Sequence, residues 1–156
     1  MNSLKVEHIN PFIRATVETL QLMAKTEPKP GRVALASETG TRFDVSGVIG
    51  LSGGARGTVV LGFPRVTALK IVSAFVGEKV LSLDDTVTDA IGELANIVAG
   101  AAKKDLTRYR INISLPSVVL GENHALTGPR DIIPMLVPFG CDLGNFSLIV
   151  RFKSDT

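Results

Sequence analysis

Three polar side chains at helical spacing are the strongest candidates for chemistry in this sequence. Asp89, Glu93 and Asn96 lie in the run Asp85–Lys104, and at about 100° per residue they fall within roughly 60° of one another on a helix. An amide donates and accepts hydrogen bonds, so Asn96 can orient a water molecule for in-line attack, and a neighbouring carboxylate can bind a cationic group. Neither group is strongly nucleophilic, so the pattern predicts catalysis by positioning.

Two glycines accompany this polar face. Gly92 and Gly100 each cost about 1 kcal/mol relative to alanine inside a helix, which indicates that something approaches the helix backbone closely. The alternative interpretation is a solvated face, in which Asp89 complements the N-terminal helix dipole and the other polar groups only contact water. The opposite side of the helix is apolar, as expected for packing on a core: Val87, Ile91, Leu94, Val98 and Ala102.

The rest of the sequence offers no competing site. His8 and His124 are far apart and lack neighbours that could complete a metal site, so none is expected. The glycine-rich stretch 50–57 lacks the Gly-Lys-Ser/Thr ending of a phosphate-binding loop, and we interpret it as a hairpin turn. Cys141 is interpreted as a small buried or loop residue, and a single cysteine excludes an intrachain disulfide.

Length and composition set the class of the protein. A chain of 156 residues is long enough for one domain with its own core, so residues 1–156 are expected to form a single domain. Seventeen basic and fifteen acidic residues give a formal charge of +2, too little to predict a nucleic-acid partner. We expect a cytoplasmic location and no membrane contact, because the sequence has no signal-peptide core and no apolar run of about 18 residues.

Three helices are predicted around the candidate face. The central one, Asp85–Lys104, follows a start signal at 82–84, where side-chain oxygens can satisfy free N–H groups. The first begins at Asn10-Pro11, and another covers Arg65–Val76 and ends at Gly77. Runs rich in β-branched and aromatic residues predict three strands before the central helix and three after it: 32–38, 43–51, 57–63, 112–120, 132–139 and 146–152.

This order of elements predicts an α+β fold, with an antiparallel sheet packed against long helices. A helix followed by three strands occurs in both halves of the chain, which suggests a pseudo-two-fold internal repeat. No residue-level identity relates the halves, so the repeat rests on the pattern of elements alone.

The motif also resembles that of a known family. Asp89-x-x-x-Glu93-x-x-Asn96, followed about twenty residues later by Pro116, is similar to the signature of the CheC/CheX/FliY phosphatases. Further matching segments extend over nearly the whole chain and are most like the CheX members: HINPF at 8–12, GELANI at 92–97, SLPSV at 114–118 and GENH at 121–124.

The resemblance implies a CheC-like fold and hydrolysis of the aspartyl phosphate of a CheY-like response regulator in chemotaxis or two-component signalling. By this resemblance, Asn96 positions the attacking water, and Glu93 docks a lysine of the regulator. Asp89, Gly92 and Gly100 are then expected to contact the partner, the glycines by leaving room for the loops of the regulator.

The same resemblance assigns the remaining parts of the reaction. The phosphorylated receiver domain supplies the phospho-aspartate and a divalent metal, expected to be Mg²⁺, so no cofactor is expected in this chain. Pro116 is expected to be structural and to support the strand next to the helix. Because relatives of the CheX type form homodimers, we expect one here.

Two further points stay open from the sequence. The first helix contains Glu18-x-x-Gln21, an acid and an amide at the right spacing, but the rest of the signature is absent, so we expect one site per chain. Two other functions are alternatives to the phosphatase: a non-catalytic adaptor that docks a receiver with the same fold, and a small-molecule-binding domain with a pocket under the loop 52–55.

Overall fold

Eight strands form one antiparallel sheet, and three long helices cover one of its faces. The computed structural model describes residues 6–155. In chain order the elements are α1 (Val6–Ala24), β1 (Lys29–Pro30), β2 (Ala34–Leu35), α2 (Ala36–Thr39), β3 (Phe43–Gly53), β4 (Ala55–Phe63), α3 (Arg65–Val76), α4 (Asp85–Lys104), a 3₁₀ turn (Thr107–Tyr109), β5 (Ile111–Ile113), β6 (Ser117–His124), β7 (Met135–Cys141) and β8 (Gly144–Ser154).

The order of strands in the sheet is symmetric about its centre. It runs β1-β7-β8-β4-β3-β5, with β2 also pairing with β7 and β6 with β3. The hairpins β3–β4 and β7–β8 meet where β4 pairs with β8, and Val60 lies opposite Ile149 there. The first strands of each half cross over to the hairpin of the other half. Exchanging the two halves leaves the order unchanged, so the predicted pseudo-two-fold repeat is confirmed.

The main core lies between the helices and the sheet. It forms because α1, α3 and α4 each have an apolar side, and because alternate residues of an antiparallel strand point to the same face. A smaller apolar cluster on the opposite face contains Phe43, Val60, Leu136 and Ile149, with Leu126 from the β6–β7 connection packed against it. The fully buried side chains of the main core include Phe12, Leu20, Ile49, Leu61, Phe63, Ile71, Ile91, Leu94, Leu148 and Phe152.

The central helix, α4, has the bounds that the sequence predicts. Asp84 is its N-cap, and its carboxylate accepts hydrogen bonds from the backbone N–H groups of Thr86 and Val87 at 3.0 and 3.4 Å. All five residues of its predicted apolar side are buried. The prediction for α3 is also confirmed, including its left-handed C-terminal glycine, Gly77 (φ 78°).

The first helix starts earlier than predicted. It already includes Val6, the first described residue, rather than beginning at Asn10, so Pro11 lies inside it. Proline near a helix start removes only one intrahelical hydrogen bond, and the longer helix buries His8 and Ile9. Packing of these residues therefore outweighs the start signal.

The predicted strand 32–38 is wrong. Only Ala34–Leu35 pairs with β7, and Ala36–Thr39 forms a short helix that ends at Gly40 (φ 64°). The reason lies in the partner strand, because Leu35 stands opposite Met135, the first residue of β7. Residues after Leu35 therefore have no residue of β7 opposite them with which to form strand hydrogen bonds.

Prolines also shift the later strands. The predicted strand 112–120 is divided into β5 and β6, because Pro116 cannot donate to a ladder. The strand predicted at 132–139 begins after Pro134, at Met135. The last strand, β8, is longer than predicted at both ends. The hairpin turn predicted for the glycine-rich stretch is confirmed, with only one residue between β3 and β4.

None of the helices in the described range 6–155 combines the length and the apolar character that a membrane crossing requires.

Gly47 provides a test of how closely α4 packs on the sheet. A Cβ at this position would lie 3.0 Å from Ala95 Cβ and 3.1 Å from Ile91 Cγ2. We expect Gly47→Val to lower the free energy of unfolding by about 1–3 kcal/mol, because the added methyl groups overpack this contact. Chemical denaturation measures the change. Gly121→Ala is the control, since the nearest atom there, His124 Nδ1, is 3.8 Å away. Equal destabilisation by both variants would contradict the close packing.

Candidate active site

The predicted polar face lies on the outer side of α4. Asp89 and Glu93 are exposed, and Asn96 is half-buried. Within residues 6–155, neither Glu93 nor Asn96 makes a side-chain hydrogen bond or an ion pair. The carboxylate and the amide are therefore free to interact with a partner, and no internal contact has to be broken first.

Gly92 is covered by the chain itself. It is buried, and a Cβ placed there would lie 3.5 Å from Val118 Cγ2 and 3.7 Å from Pro116 Cβ and Cγ. The space next to Gly92 is thus occupied by the segment between β5 and β6. Pro116, the distal residue of the signature, lies against the helix one residue from Glu93. Because Gly92 is buried, it has little surface of its own to offer to a partner.

The other glycine of the face is different. Gly100 is half-buried, and apart from its chain neighbours and the nearby helix backbone, no atom of the described residues lies within 4 Å of a Cβ placed there. The space beside Gly100 is therefore open to a partner.

The segment beside Gly92 holds a leucine in an exposed position. The Ser114 N–H donates to Gly50 O at 2.9 Å, and Ser114 Oγ accepts from the Gly50 N–H at 2.8 Å. The same hydroxyl donates to Leu115 O at 2.8 Å, while Pro116 lies against α4. Leu115 is fixed on both sides, yet the residue is 87% exposed. Leu115 lies in the segment SLPSV at 114–118 that carries part of the family resemblance, but no role was predicted for it from the sequence.

The counterpart of α4 in the first half, α1, lacks most of these features. Its pair Glu18 and Gln21 is exposed. Val17 stands where α4 has Gly92, and Arg14 stands where α4 has its first carboxylate. Arg14 Nη2 lies 3.6 Å from a carboxylate oxygen of Asp105, so this position serves a contact with the residue that caps the end of α4.

The connecting segments of the two halves also differ. The Gly31 N–H donates to Pro138 O at 2.7 Å, which corresponds to the bond from Ser114 to Gly50 in the other half. The chain then continues Arg-Val after Gly31, where the other half has Leu-Pro. Glu18 and Gln21 on α1 therefore lack the surroundings that Glu93 and Asn96 have on α4.

The other reactive residues have structural partners. His8 is buried, and its Nε2 lies 2.9 Å from the hydroxyl of Tyr109. His124 Nε2 lies 2.8 Å from Ser46 Oγ, and the thiol of Cys141 donates to a backbone carbonyl at 3.2 Å. In the range 6–155 no three His, Cys, Asp or Glu side chains converge as a metal site.

A protein-family model described as "Chemotaxis phosphatase CheX" matches residues 45–140. This chain belongs to the CheX family. The matched range includes the whole of α4 and Pro116. The CheY-P phosphatase CheX of Thermotoga maritima is 35% identical over 118 residues, which cover 74% of this chain and 76% of that protein.

Solved structures share the fold. The chemotaxis protein CheX from Vibrio vulnificus is 32% identical, with a TM-score of 0.87 over 93% of this chain and 98% of that chain. The CheX-CheY-BeF3-Mg+2 complex from Borrelia burgdorferi contains a chain of the same fold, with 24% identity and a TM-score of 0.83 over 96% of this chain and 100% of that chain. The predicted CheC-like α+β fold is confirmed by these likenesses.

Leucine substitutions at Gly92 and Gly100 test whether the first glycine is covered by the segment 114–118 and the second is open. We expect Gly92→Leu to displace the segment 114–118, because the larger side chain competes for the space of Pro116 and Val118. Hydrogen exchange at the backbone amides of 117–119 should then be faster. Gly100→Leu is the matched control and should leave this exchange unchanged, because the space there is open. Unchanged exchange in both variants would contradict the packing of the segment on α4.

Proposed function

We propose that this CheX-family protein hydrolyses the aspartyl phosphate of a CheY-like receiver domain. The observation that carries the proposal is the pair Glu93 and Asn96, which lies side by side on the outer face of α4 without internal partners. The Thermotoga maritima relative, 35% identical over most of the chain, is a CheY-P phosphatase, which supports the same substrate class here.

In the proposed reaction Asn96 enters the receiver's site and holds a water molecule opposite the bond that breaks. The water oxygen attacks phosphorus, the bond from phosphorus to the aspartyl oxygen breaks, and the products are inorganic phosphate and the free receiver carboxylate. An amide is not a general base, so its contribution is the orientation of the water. A divalent metal held by the receiver, expected to be Mg²⁺, would supply charge stabilisation at the phosphoryl oxygens.

Glu93 is proposed to dock the receiver through one of its lysines. Its carboxylate is exposed and has no ion pair within the described residues, so the new contact replaces only hydration. Glu93 lies one helical turn before Asn96. A salt bridge between Glu93 and the receiver's lysine would therefore fix the rotation of the receiver around α4. Asp89 and the open space beside Gly100 are proposed to complete the contact along the helix.

Leu115 is proposed to add an apolar contact at the edge of the same face. It is fixed next to α4 by Ser114 and Pro116, so burying it against the receiver costs little conformational entropy. A leucine side chain gains about 1.5–3 kcal/mol on full burial.

The adaptor alternative uses the same docking residues but has no need for Asn96. A free amide next to the docking carboxylate favours hydrolysis over docking alone.

The proposal also includes the cytoplasmic location and the homodimer that are expected from the sequence.

The roles of Asn96 and Glu93 are separable by kinetics. We expect Asn96→Ala to slow phosphate release from a phosphorylated receiver at saturation by about 100-fold, because the water is no longer oriented. Glu93→Ala should instead raise the receiver concentration needed for half-maximal rate. Glu18→Ala on α1 is the control and should match the wild type. If both α4 variants accelerate hydrolysis as the wild type does, the proposed site is wrong; receiver binding without any acceleration by the wild type would favour the adaptor.

The docking role of Leu115 has its own signature. Leu115→Ser should raise the half-maximal receiver concentration about 10-fold and leave the rate at saturation unchanged, because only binding surface is removed. Val66→Ser is the control, since Val66 is 61% exposed and lies on α3, away from the edge formed by β5 and β6. A Leu115→Ser variant with an unchanged half-maximal concentration would remove Leu115 from the interface.

A further inference from the structure

A cavity of about 430 Å³ lies on the sheet face opposite the three long helices. Its floor is the smaller apolar cluster, with Phe43, Leu136 and Ile149 among the residues that line it. The short helix α2 and the connection between β6 and β7 form its walls. The volume lies within the range of small-molecule sites, about 300–1,000 Å³.

The polar part of this lining is basic. Arg42, Arg130 and Arg151 all line the cavity, and none of the lining residues is acidic. Asp131, which follows Arg130 in the sequence, is engaged by other cations. It binds Lys153 Nζ at 3.0 Å and Arg56, and these hydrogen bonds hold the pKa of the Asp131 carboxyl well below its usual range.

Arg151 is the unusual member of this set, because it is only 5% exposed and has no acidic partner within residues 6–155. Its guanidinium donates two long hydrogen bonds, to Thr58 Oγ1 at 3.4 Å and to Leu126 O at 3.3 Å. Both acceptors are neutral, and burial lowers the pKa of the guanidinium. A guanidinium has five donors and a permanent charge, and burying such a charge without a counter-ion is costly.

Gly128 lies directly against the guanidinium of Arg151. A Cβ at position 128 would lie 2.5 Å from Nε, 2.8 Å from Cδ and 3.0 Å from Cζ of Arg151, so any larger residue there would push the guanidinium from its present position. No fully buried side-chain nitrogen or oxygen among the described residues lacks a hydrogen-bond partner. The donor at Nε has no acceptor within residues 6–155, so it is not fully buried, and Arg151 lines the cavity.

We propose that this cavity binds a small organic carboxylate with a short apolar body. The planar carboxylate pairs with the side of the Arg151 guanidinium that carries the unpaired Nε donor, because two oxygens match the geometry of a guanidinium. Arg42 and Arg130 add positive charge around the anion. The apolar body lies on Phe43 and Ile149. This site is on the other side of the sheet from α4, and it is independent of the proposed phosphatase site.

Isothermal titration calorimetry of the full chain with sodium hexanoate tests the proposal at constant ionic strength. Hexanoate should bind with one site per chain, and hexanamide, of the same shape without charge, should bind at least about 10-fold more weakly. Inorganic phosphate, which has charge but no apolar body, should also bind more weakly than hexanoate. Equal binding of hexanoate and hexanamide, no binding of hexanoate, or tighter binding of phosphate would overturn the proposal.

Two variants locate the site. Arg151→Met should weaken hexanoate binding at least about 10-fold, and Gly128→Ala should do the same with the arginine retained, because its methyl group would displace the guanidinium. The second variant tests the site even if the first does not fold. Arg65→Gln, an exposed arginine outside the cavity lining, is the control and should bind as the wild type does. Unchanged binding in Gly128→Ala would overturn the assignment to this cavity.

Discussion

The position of the candidate active site depends on the contact between α4 and β3 at Gly47. The absence of a side chain there brings the strand backbone against Ile91 and Ala95 of the helix. These two residues fix how deeply α4 lies on the sheet and how it is rotated about its axis. Glu93 and Asn96 follow them by two residues and by one, so the same contact that buries one side of the helix turns both polar groups outward.

Local signals were sufficient to predict this helix from the sequence. An N-cap aspartate, an apolar stripe at helical spacing and two lysines at the end all agree over Asp85–Lys104, and the helix has those bounds. The prediction failed at 32–38, where the outcome depends on a partner strand that begins only at Met135. The end of a strand is set by the neighbouring strand in the sheet, and the local sequence of one segment does not identify that neighbour.

The two sites differ in how far sequence reasoning reaches. Glu93 and Asn96 are recognisable because they share one helix, where spacing alone places them on one face. The surroundings of Gly92 and the presentation of Leu115 depend on a segment from the following strands, which spacing does not locate. The role of Arg151 is harder still to predict from the sequence, because its position in β8 indicates only that it is a strand residue. Its burial depends on the β6–β7 connection, which contributes Leu126 and Gly128 to its surroundings.

The crossed first strands of the sheet have a consequence for how such a protein can evolve. Each hairpin receives an edge strand from the other half of the chain, so neither half contains a complete sheet of its own. The first half must therefore be retained for folding even where its helix no longer takes part in chemistry. This frees the outer face of α1 to diverge, as Arg14 illustrates, while its inner face stays tied to the shared core. A duplicated architecture with interlocked halves thus allows one copy to specialise in the reaction and the other in structural support.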